Sequence, residues 1–155
     1  MNKRSALTQL TQVVDSLDGI QRNEIVIVGN LAALLNGLCD EVNDIDVYSG
    51  VRPFAAVSWT GKAKQGKILK ATEYLPECKV IPLQDIDFHL VENVDIYPTF
   101  SHRKFRVLNK VGLLMFRIDL GREKDLKDIN ALKDYWCNLT PLYKERLNKL
   151  LEKFP

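Results

Sequence analysis

The stretch that most constrains the fold is the run EIVIVGNLAALLNGLCDEVNDIDVY at residues 24–48. It begins with a short β-branched segment, EIVIV, which is typical of a strand buried on both faces. A Gly-Asn pair follows, and we expect Asn30 to cap a short Ala- and Leu-rich helix that ends at Gly37. The segment DIDVY at 44–48 then predicts a second strand. The run therefore predicts a strand, a polar turn, a short helix and a strand in immediate succession.

The rest of the chain supplies further strands and most of the helices. Apolar spacing and capping signals predict helices over residues 5–18, between Asn109 and Gly121, in REKDLKDINALKDYW, and from Thr140-Pro141 onward. Further strands are predicted in KVIPL (79–83), DIDFHLV (85–91) and KFRVL (104–108), and the first two are alternatively one strand interrupted by Pro82. Residues 49–77 are rich in turn-forming residues and carry weaker signals.

These elements predict an α/β (α+β) protein in which a small mixed β-sheet is flanked by helices. We expect a single domain over residues 1–155, with the sheet-containing part at about 20–108 and a helical part at about 109–155. The hydrophobic content of 46% and the charged content of 27% are ordinary for a globular chain.

Charge and cysteine content argue against several classes of function. A formal net charge of +2 gives no basis for a nucleic-acid claim. The three cysteines are far apart, show no CxxC spacing and are accompanied by only two histidines, so neither a zinc site nor a disulfide framework is expected. The N-terminal region lacks a secretory apolar core, and no apolar run reaches the roughly 18–20 residues that span a bilayer. We therefore expect a cytoplasmic protein with no membrane partner.

The two aspartates of the DID motif carry the first chemical signal. Residues two apart in a strand point to the same side with Cα atoms roughly 6.5–7 Å apart, so Asp44 and Asp46 are expected to project together. Paired carboxylates repel unless a cation lies between them, and an all-oxygen ligand set favours Mg²⁺ or Mn²⁺. Upstream, the turn at Gly29 and Asn30 leads into a helix N-terminus, where free N–H groups favour a phosphate. Phosphoryl transfer requires both a site for the phosphates and a site for a metal ion. The alternative is that the aspartates cap a turn or face solvent.

Two sets of residues carry a resemblance to a known family. The first set lies in the strand–turn–helix–strand unit: Gly29, Asn30, Ala32, Gly37, Asp44 and Asp46. The second lies in FRVLNKVGLLMFR and REKDLKDINAL: Arg117, Arg122, Lys124, Asp125 and Asp128. Together they resemble the nucleotidyltransferase superfamily that shares the DNA polymerase β palm. The resemblance covers roughly half of the chain and is closest in style to the minimal bacterial members, which include type IV toxin–antitoxin enzymes.

The resemblance implies a metal-dependent transfer of a nucleoside monophosphate from an NTP to an unidentified acceptor, such as a protein or an RNA. It implies that Asp44 and Asp46 bind Mg²⁺ (or Mn²⁺) and that a third carboxylate on a later strand completes the catalytic and metal-binding set. Asp87 is the choice for this carboxylate, with Asp85 as its rival on the same face and Asp95 as a weaker one. Gly29 and Asn30 are implied to hold the nucleotide, and Arg117, Arg122 and Lys124 are predicted to reach its phosphates from the helical part. The alternative for these three is surface charge on helices, with Lys124 and Asp128 as an i,i+4 pair.

The sequence departs from the family pattern in two places. Asn30 stands where the family has a second glycine or a serine, and Asp40 and Glu41 precede the DID motif where the family often has a basic residue. These departures favour, as the alternative function, a catalytically silent binding module for protein or nucleic acid. A further alternative is the toxin component of a toxin–antitoxin or phage-defence pair.

A basic, glycine-punctuated segment, TGKAKQGKILK, lies between the two matched regions. Lys62 and Lys64 in this segment are predicted to bind the triphosphate or a polynucleotide acceptor, with Trp59 as a stacking surface. The alternative is an ordinary solvated loop. His89 and His102 have no evident partner in the sequence and are expected to be structural.

Overall fold

The computed structural model describes residues 1–17, 20–50 and 80–155, so the basic segment with Lys62, Lys64 and Trp59 lies outside the described residues. The strands are β1 (Ile25–Val28), β2 (Ile45–Ser49), β3 (Val80–Leu83), β4 (Ile86–Leu90), β5 (Thr99–His102) and β6 (Phe105–Leu108). The α-helices are α1 (Lys3–Asp15), α2 (Gly29–Leu35), α3 (Lys110–Leu120), α4 (Leu126–Ala131) and α5 (Pro141–Lys153). Short 3-10 turns span Arg22–Glu24, Glu123–Asp125 and Lys133–Asn138. None of the helices in the described ranges combines the length and the apolar character needed to cross a membrane.

The six strands found in the described ranges form one mixed sheet in the order β3-β4-β2-β1-β6-β5. Parallel pairs join β1 to β6 and β2 to β4, and antiparallel pairs join the other neighbours. Helices flank this sheet and dominate the C-terminal part of the chain. The predicted α/β class, with a small mixed sheet and a helical C-terminal part, is therefore confirmed.

Burial along the central strands decides which side chains are available to a site. Every residue of β1 is buried, as expected for a strand covered on both faces. In β2, Ile45 and Val47 are buried and Asp46 between them is half-buried. In β4, Ile86 and Phe88 are buried and alternate with half-buried polar residues. Because paired residues of neighbouring strands point to the same side, the polar residues of β2 and β4 share one face of the sheet.

Capping contacts confirm the predicted boundaries of α3 and the start of α5. The side chain of Asn109 accepts a hydrogen bond from the Gly112 N–H at 2.8 Å, which starts α3. Gly121 ends the same helix in the left-handed conformation, with a φ of +61°. The Thr140 hydroxyl accepts a backbone hydrogen bond at 3.4 Å, and Pro141 is the first residue of α5.

Two predictions about helix starts are wrong. Helix α2 begins at Gly29 with Val28 in the cap position, so Asn30 lies inside the first turn instead of capping it. The first helix is capped by Asn2 and ends at Asp15, whereas the apolar pattern predicted a helix over 5–18. Both helices start earlier than predicted, because the spacing of apolar residues identifies the buried face of a helix and not its cap.

Two β-hairpins distinguish the observed sheet from the predicted one. The segments KVIPL and DIDFHLV form two antiparallel strands, β3 and β4, and Pro82 lies on β3 at the edge of the sheet. Strand β5 was not predicted, and it pairs with β6 in the second hairpin. Both turns use residues other than glycine with positive φ, at Gln84 (58°), Arg103 (49°) and Lys104 (69°).

Helix α3, which contributes to the site, is fastened to its neighbours through Asp119. Tyr97 and Tyr143 donate hydroxyl hydrogen bonds to Asp119 Oδ2 at 2.6 and 2.7 Å, and Arg146 donates to Oδ1 at 2.8 Å. Burial, followed by the hydrogen bond to Asp119, raises the pKa of both tyrosines. The network joins α3 to α5 and to the segment before β5.

Candidate active site

A cavity of ≈ 610 Å³ lies where β1 runs into α2, beside the polar face of β2 and β4. Its lining includes three acidic residues, Glu41, Asp44 and Asp46, which come from β2 and the segment before it. The lining residues that follow α3 carry both charges: Arg122, Lys124 and Lys127 are basic, and Asp125 and Asp128 are acidic. Residues from both regions that carry the sequence resemblance therefore line one space.

Asp46, Asp87 and His89 bring three potential metal-ligand atoms within 4.8 Å of one another. The parallel register of β2 and β4 pairs Asp46 with Asp87, and His89 follows two residues later on the same face. The His89 Nε2 atom lies 2.8 Å from Asp46 Oδ1. Strand pairing, and not proximity in the sequence, is what assembles this group.

The charges in this group influence one another. Burial raises the pKa of Asp87, and the negative charge of Asp46 raises it further. The hydrogen bond to Asp46 raises the pKa of His89, and the charges of Asp46 and Asp87 add to that effect in spite of partial burial. The shift of the His89 pKa indicates that the neighbouring carboxylates favour positive charge on its ring.

Gly29 leaves the Asp46 carboxylate accessible at the mouth of the cavity. Its φ is +60°, a conformation that favours glycine, and a Cβ atom at this position would lie 3.2 Å from Asp46 Oδ2. Gly29 therefore turns the chain from β1 into α2 and also keeps the approach to Asp46 open.

The side chain of Asn30 is engaged by a buried arginine of α3. Arg117, which is 6% exposed, donates a hydrogen bond from Nη2 to Asn30 Oδ1 at 3.0 Å and one from Nη1 to Asp125 Oδ1 at 3.3 Å. Its Nε atom lies 2.9 Å from Asp128 Oδ2 as an ion pair, although the N–H is not aligned for a hydrogen bond. Arg117 therefore holds α2, α3 and α4 together at the edge of the cavity.

Asp125 is the buried counterpart of two arginines. It is 1% exposed and accepts two side-chain hydrogen bonds from Arg122, at 2.9 and 3.0 Å, in addition to the contact with Arg117. Burial acts to raise the pKa of Asp125, but the hydrogen bonds and charge of Arg122 and the charge of Arg117 outweigh it, so the pKa is lowered. Asp125 is therefore held as an ion between the two guanidinium groups.

The predicted site residues fall into three groups by position. Asp46 and Asp87 lie side by side, and Asp44, which is exposed and precedes β2, lines the same cavity without belonging to the three-residue group. Gly29, Asn30, Arg117 and Lys124 also line the cavity. Lys62 and Lys64 lie outside the described residues.

The rivals of Asp87 for the third carboxylate lie elsewhere. Asp85 is in the turn before β4, where its carboxylate accepts a hydrogen bond from Gln9 Nε2 at 3.4 Å. Asp95 forms an ion pair with Arg106. Of the three candidates, Asp87 is the one that β2–β4 pairing places beside Asp46.

The expectation that His89 has no partner is wrong, since it contacts Asp46 directly. The missed signal is the spacing of Asp87 and His89 in DFH, which repeats the two-residue spacing of DID and places both side chains on one strand face. Tyr48, two residues after Asp46, also lines the cavity and packs edge-on against His89 with ring centroids 6.0 Å apart.

Comparison of the chain with protein-family models, with curated proteins and with solved structures gives no significant match.

Proposed function

We propose that the protein is a metal-dependent nucleotidyltransferase, which transfers a nucleoside monophosphate from an NTP to a hydroxyl group of a protein or RNA acceptor. The observation that carries the proposal is the pairing of Asp46 with Asp87 across β2 and β4, where Asp46 lines a cavity that Lys124 and Lys127 also line. Two adjacent carboxylates and a cluster of cations are the complementary sites that a metal-bound triphosphate needs.

The carboxylates fit a divalent ion on two grounds. Asp46 and Asp87 lie in a group whose ligand atoms are within 4.8 Å of one another, and Gly29 keeps Asp46 Oδ2 approachable. In the proposal Asp44, Asp46 and Asp87 hold Mg²⁺ or Mn²⁺. Such an ion, when bound, supplies neutralisation of charge on the phosphoryl oxygens and orientation of the triphosphate.

The remaining roles belong to the protein side chains. Lys124 and Lys127 attract the triphosphate, because cations in a cleft raise the local concentration of a polyanionic ligand. In the proposal Asp87, the strand partner of Asp46, accepts the proton of the acceptor hydroxyl or completes the metal ligands. Gly29 leaves space for the phosphate chain next to Asp46.

A catalytically silent binding module is the second candidate, and two contacts favour it. Asn30 is bound by Arg117, and Asp46 is bound by His89, so two predicted nucleotide or metal contacts already have partners within the protein. In this second role the cavity would bind a nucleotide or a partner without transferring a group.

The metal–NTP part of the proposal is tested by calorimetry with the double variant Asp44→Asn/Asp46→Asn. We expect the variant to remain folded by circular dichroism and to lose NTP binding in the presence of Mg²⁺ or Mn²⁺. A charge-matched control neutralises two exposed acids away from the cavity, Asp134→Asn/Glu152→Gln, and should bind as the wild type does. Unchanged NTP binding by the Asp44/Asp46 variant would reject the proposed site.

The transfer itself is tested with each of the four NTPs labelled at the α-phosphate, incubated with RNA or with cellular protein extract. Label that becomes covalently attached to an acceptor, and that is lost in the Asp44/Asp46 variant, supports the enzyme. Metal-dependent NTP binding without any label transfer would reject the enzyme in favour of the binding module.

A further inference from the structure

We propose that His89 is a metal ligand together with Asp46 and Asp87, and that this nitrogen-and-oxygen donor set selects a first-row transition dication such as Mn²⁺ over Mg²⁺. The inference rests on the metal-binding part of the proposed function and deepens it by assigning a ligand and an ion. An all-aspartate set was the expectation from the sequence, and His89 changes the chemistry of the site.

The distance between His89 and Asp46 suits two ligands of one ion. Two neighbouring ligands of an octahedral ion with bonds of about 2.1 Å are on the order of 3 Å apart. The His89 Nε2 and Asp46 Oδ1 atoms are 2.8 Å apart, so their separation is already close to that of neighbouring ligands. An ion bound by both atoms would replace the direct hydrogen bond between them.

Strand geometry adds Asp87 to the same side. Asp87 is the register partner of Asp46 and precedes His89 by two residues, so all three side chains project from one face of β2 and β4. A carboxylate oxygen of Asp87 lies within 4.8 Å of a ligand atom of each of the other two residues. The three donor atoms are therefore close enough to one another to be candidate ligands of one ion.

Asp46 and Asp87 differ from the other partly or fully buried aspartates in the cations that they contact. Asp119, Asp125 and Asp128 each pair with an arginine. Within the part of the chain that the structure describes, neither Asp46 nor Asp87 has an ion pair with lysine or arginine, and His89 is the partner of Asp46. A dication would supply the positive charge that guanidinium groups supply to the other three.

The site is shielded but open to a ligand. The side chains of His89 and Asp46 are 33% and 24% exposed, and both line the cavity. Asp46 and His89 therefore border the same space as Arg122, Lys124 and Lys127.

An imidazole ligand discriminates between the two candidate ions. Mg²⁺ prefers oxygen ligands in a near-ideal octahedron and keeps several of its waters. Imidazole nitrogen suits transition metals, and affinity for a nitrogen- and oxygen-containing site rises along the first-row series that begins with Mn²⁺. His89 should therefore strengthen Mn²⁺ binding and contribute little to Mg²⁺ binding.

The test measures Mn²⁺ binding to the chelator-treated full chain by electron paramagnetic resonance, with Mg²⁺ as competitor and without nucleotide. Loss of second-shell partners alone lowers metal affinity by about 10–100-fold, so loss of a direct ligand in His89→Ala should weaken Mn²⁺ binding by at least about tenfold. We expect wild-type protein to bind Mn²⁺ at least about tenfold more tightly than Mg²⁺, and His89→Ala to lose that preference. Pulsed measurements should detect coupling between Mn²⁺ and an imidazole nitrogen in the wild type and not in the variant.

Two further variants keep the test decisive. His89→Gln retains a polar side chain beside Asp46 and serves if His89→Ala does not fold, with the same expected loss of nitrogen coupling. His102→Ala removes the other histidine, which lies on β5, and should bind Mn²⁺ as the wild type does. Equal affinities of the wild type for Mn²⁺ and Mg²⁺, or undiminished Mn²⁺ binding by the His89 variants, would overturn the inference.

The outcomes of this test distinguish a failure of the metal site from a failure of the proposed transfer reaction. Nitrogen-coupled Mn²⁺ without label transfer from any NTP would support the metal site and reject the transferase. Label transfer that needs Asp46 but is indifferent to His89, with no nitrogen coupling, would support the transferase and overturn the role of His89.

Discussion

Arg117 on α3 donates a 3.0 Å hydrogen bond to Asn30 on α2, across 87 positions of the sequence. Because Arg117 is 6% exposed, water does not readily replace a lost acceptor. We expect Asn30→Ala to lower the free energy of unfolding by about 1.5–3 kcal/mol, the usual contribution of a hydrogen bond to a charged group. Urea denaturation followed by circular dichroism measures the change.

The matched control is Asn130→Ala, an exposed asparagine on α4. It should change the free energy of unfolding by no more than about 0.5 kcal/mol, as surface substitutions usually do. Equal effects of the two substitutions would mean that the contact between Arg117 and Asn30 adds nothing to stability.

Gly29→Ala should impair both stability and metal binding. The left-handed backbone at Gly29, with a φ of +60°, costs a residue with a side chain about 1–2 kcal/mol. The added Cβ would also lie 3.2 Å from Asp46 Oδ2 and displace that carboxylate. We therefore expect a lower free energy of unfolding and weaker Mn²⁺ binding, measured by denaturation and by calorimetry.

Gly37→Ala separates these two effects. Gly37 has a φ of +80°, and a Cβ atom there would meet nothing within 4 Å. The substitution should therefore cost a similar amount of stability and leave Mn²⁺ binding intact. If both alanine variants bind Mn²⁺ as tightly as the wild type, the space beside Asp46 has no part in metal binding.

Asp125 gives the fold a defined acid sensitivity. Its pKa in the folded protein is lowered below the ordinary value of 3.8, so the unfolded chain binds its proton more readily. The stability that Asp125 contributes is therefore fully present at pH values above 3.8 and is lost as the pH falls through the lower, folded value. We expect Asp125→Asn to be about 3–5 kcal/mol less stable than the wild type near neutral pH, because both arginines lose their buried counter-ion.

The pH series supplies the check on that prediction. The difference in unfolding free energy between wild type and Asp125→Asn should stay constant through mildly acidic pH and shrink as the pH drops below 3.8. Asp134→Asn, at an exposed position, is the control and should follow the wild-type curve. A difference that is independent of pH down to acid unfolding would contradict the assignment.

Lys124 should contribute to nucleotide binding through its charge. It lines the cavity and is exposed, so its interaction with a triphosphate should resemble a surface ion pair. We expect Lys124→Gln to raise the Kd of an NTP by about two- to fivefold at low salt, with a smaller effect at high salt. The control Lys144→Gln on α5 makes the same change in net charge and should leave the Kd of the NTP unchanged. Calorimetry measures the Kd for both variants. Equal effects of both substitutions would mean that net charge alone is responsible.

Local signals in the sequence predicted the parts of the fold that depend on neighbours in the chain. The strand EIVIV is buried along its whole length, and the caps at Asn109 and Thr140 form as the residue types indicated. Alternation in DID and DIDFHLV correctly separated buried from polar positions, which is why Asp87 was preferred as the partner of Asp46.

The features that were missed depend on distant partners or on unusual turns. Strand β5 escaped prediction because its hairpin turns through Arg103 and Lys104 with positive φ, without the glycine or asparagine that usually marks such a turn. The contact of His89 with Asp46 depends on the pairing of strands that are far apart in the sequence. No spacing rule within one strand predicts which strand will lie beside it.

The parallel register between β2 and β4 links the position of the polar residues to the burial of the apolar ones, so the sheet tolerates errors in this register poorly. A shift of β4 by one residue relative to β2 would send Asp87 and His89 into the interior and turn Ile86 and Phe88 out of it, away from Asp46 and Ile45 on β2. Such a misaligned sheet would forfeit the hydrophobic core along with the ligands. Burial of the apolar residues of each strand therefore selects the register that also brings the polar side chains together. A chain that reaches its stable packing has at the same time placed Asp46, Asp87 and His89 side by side.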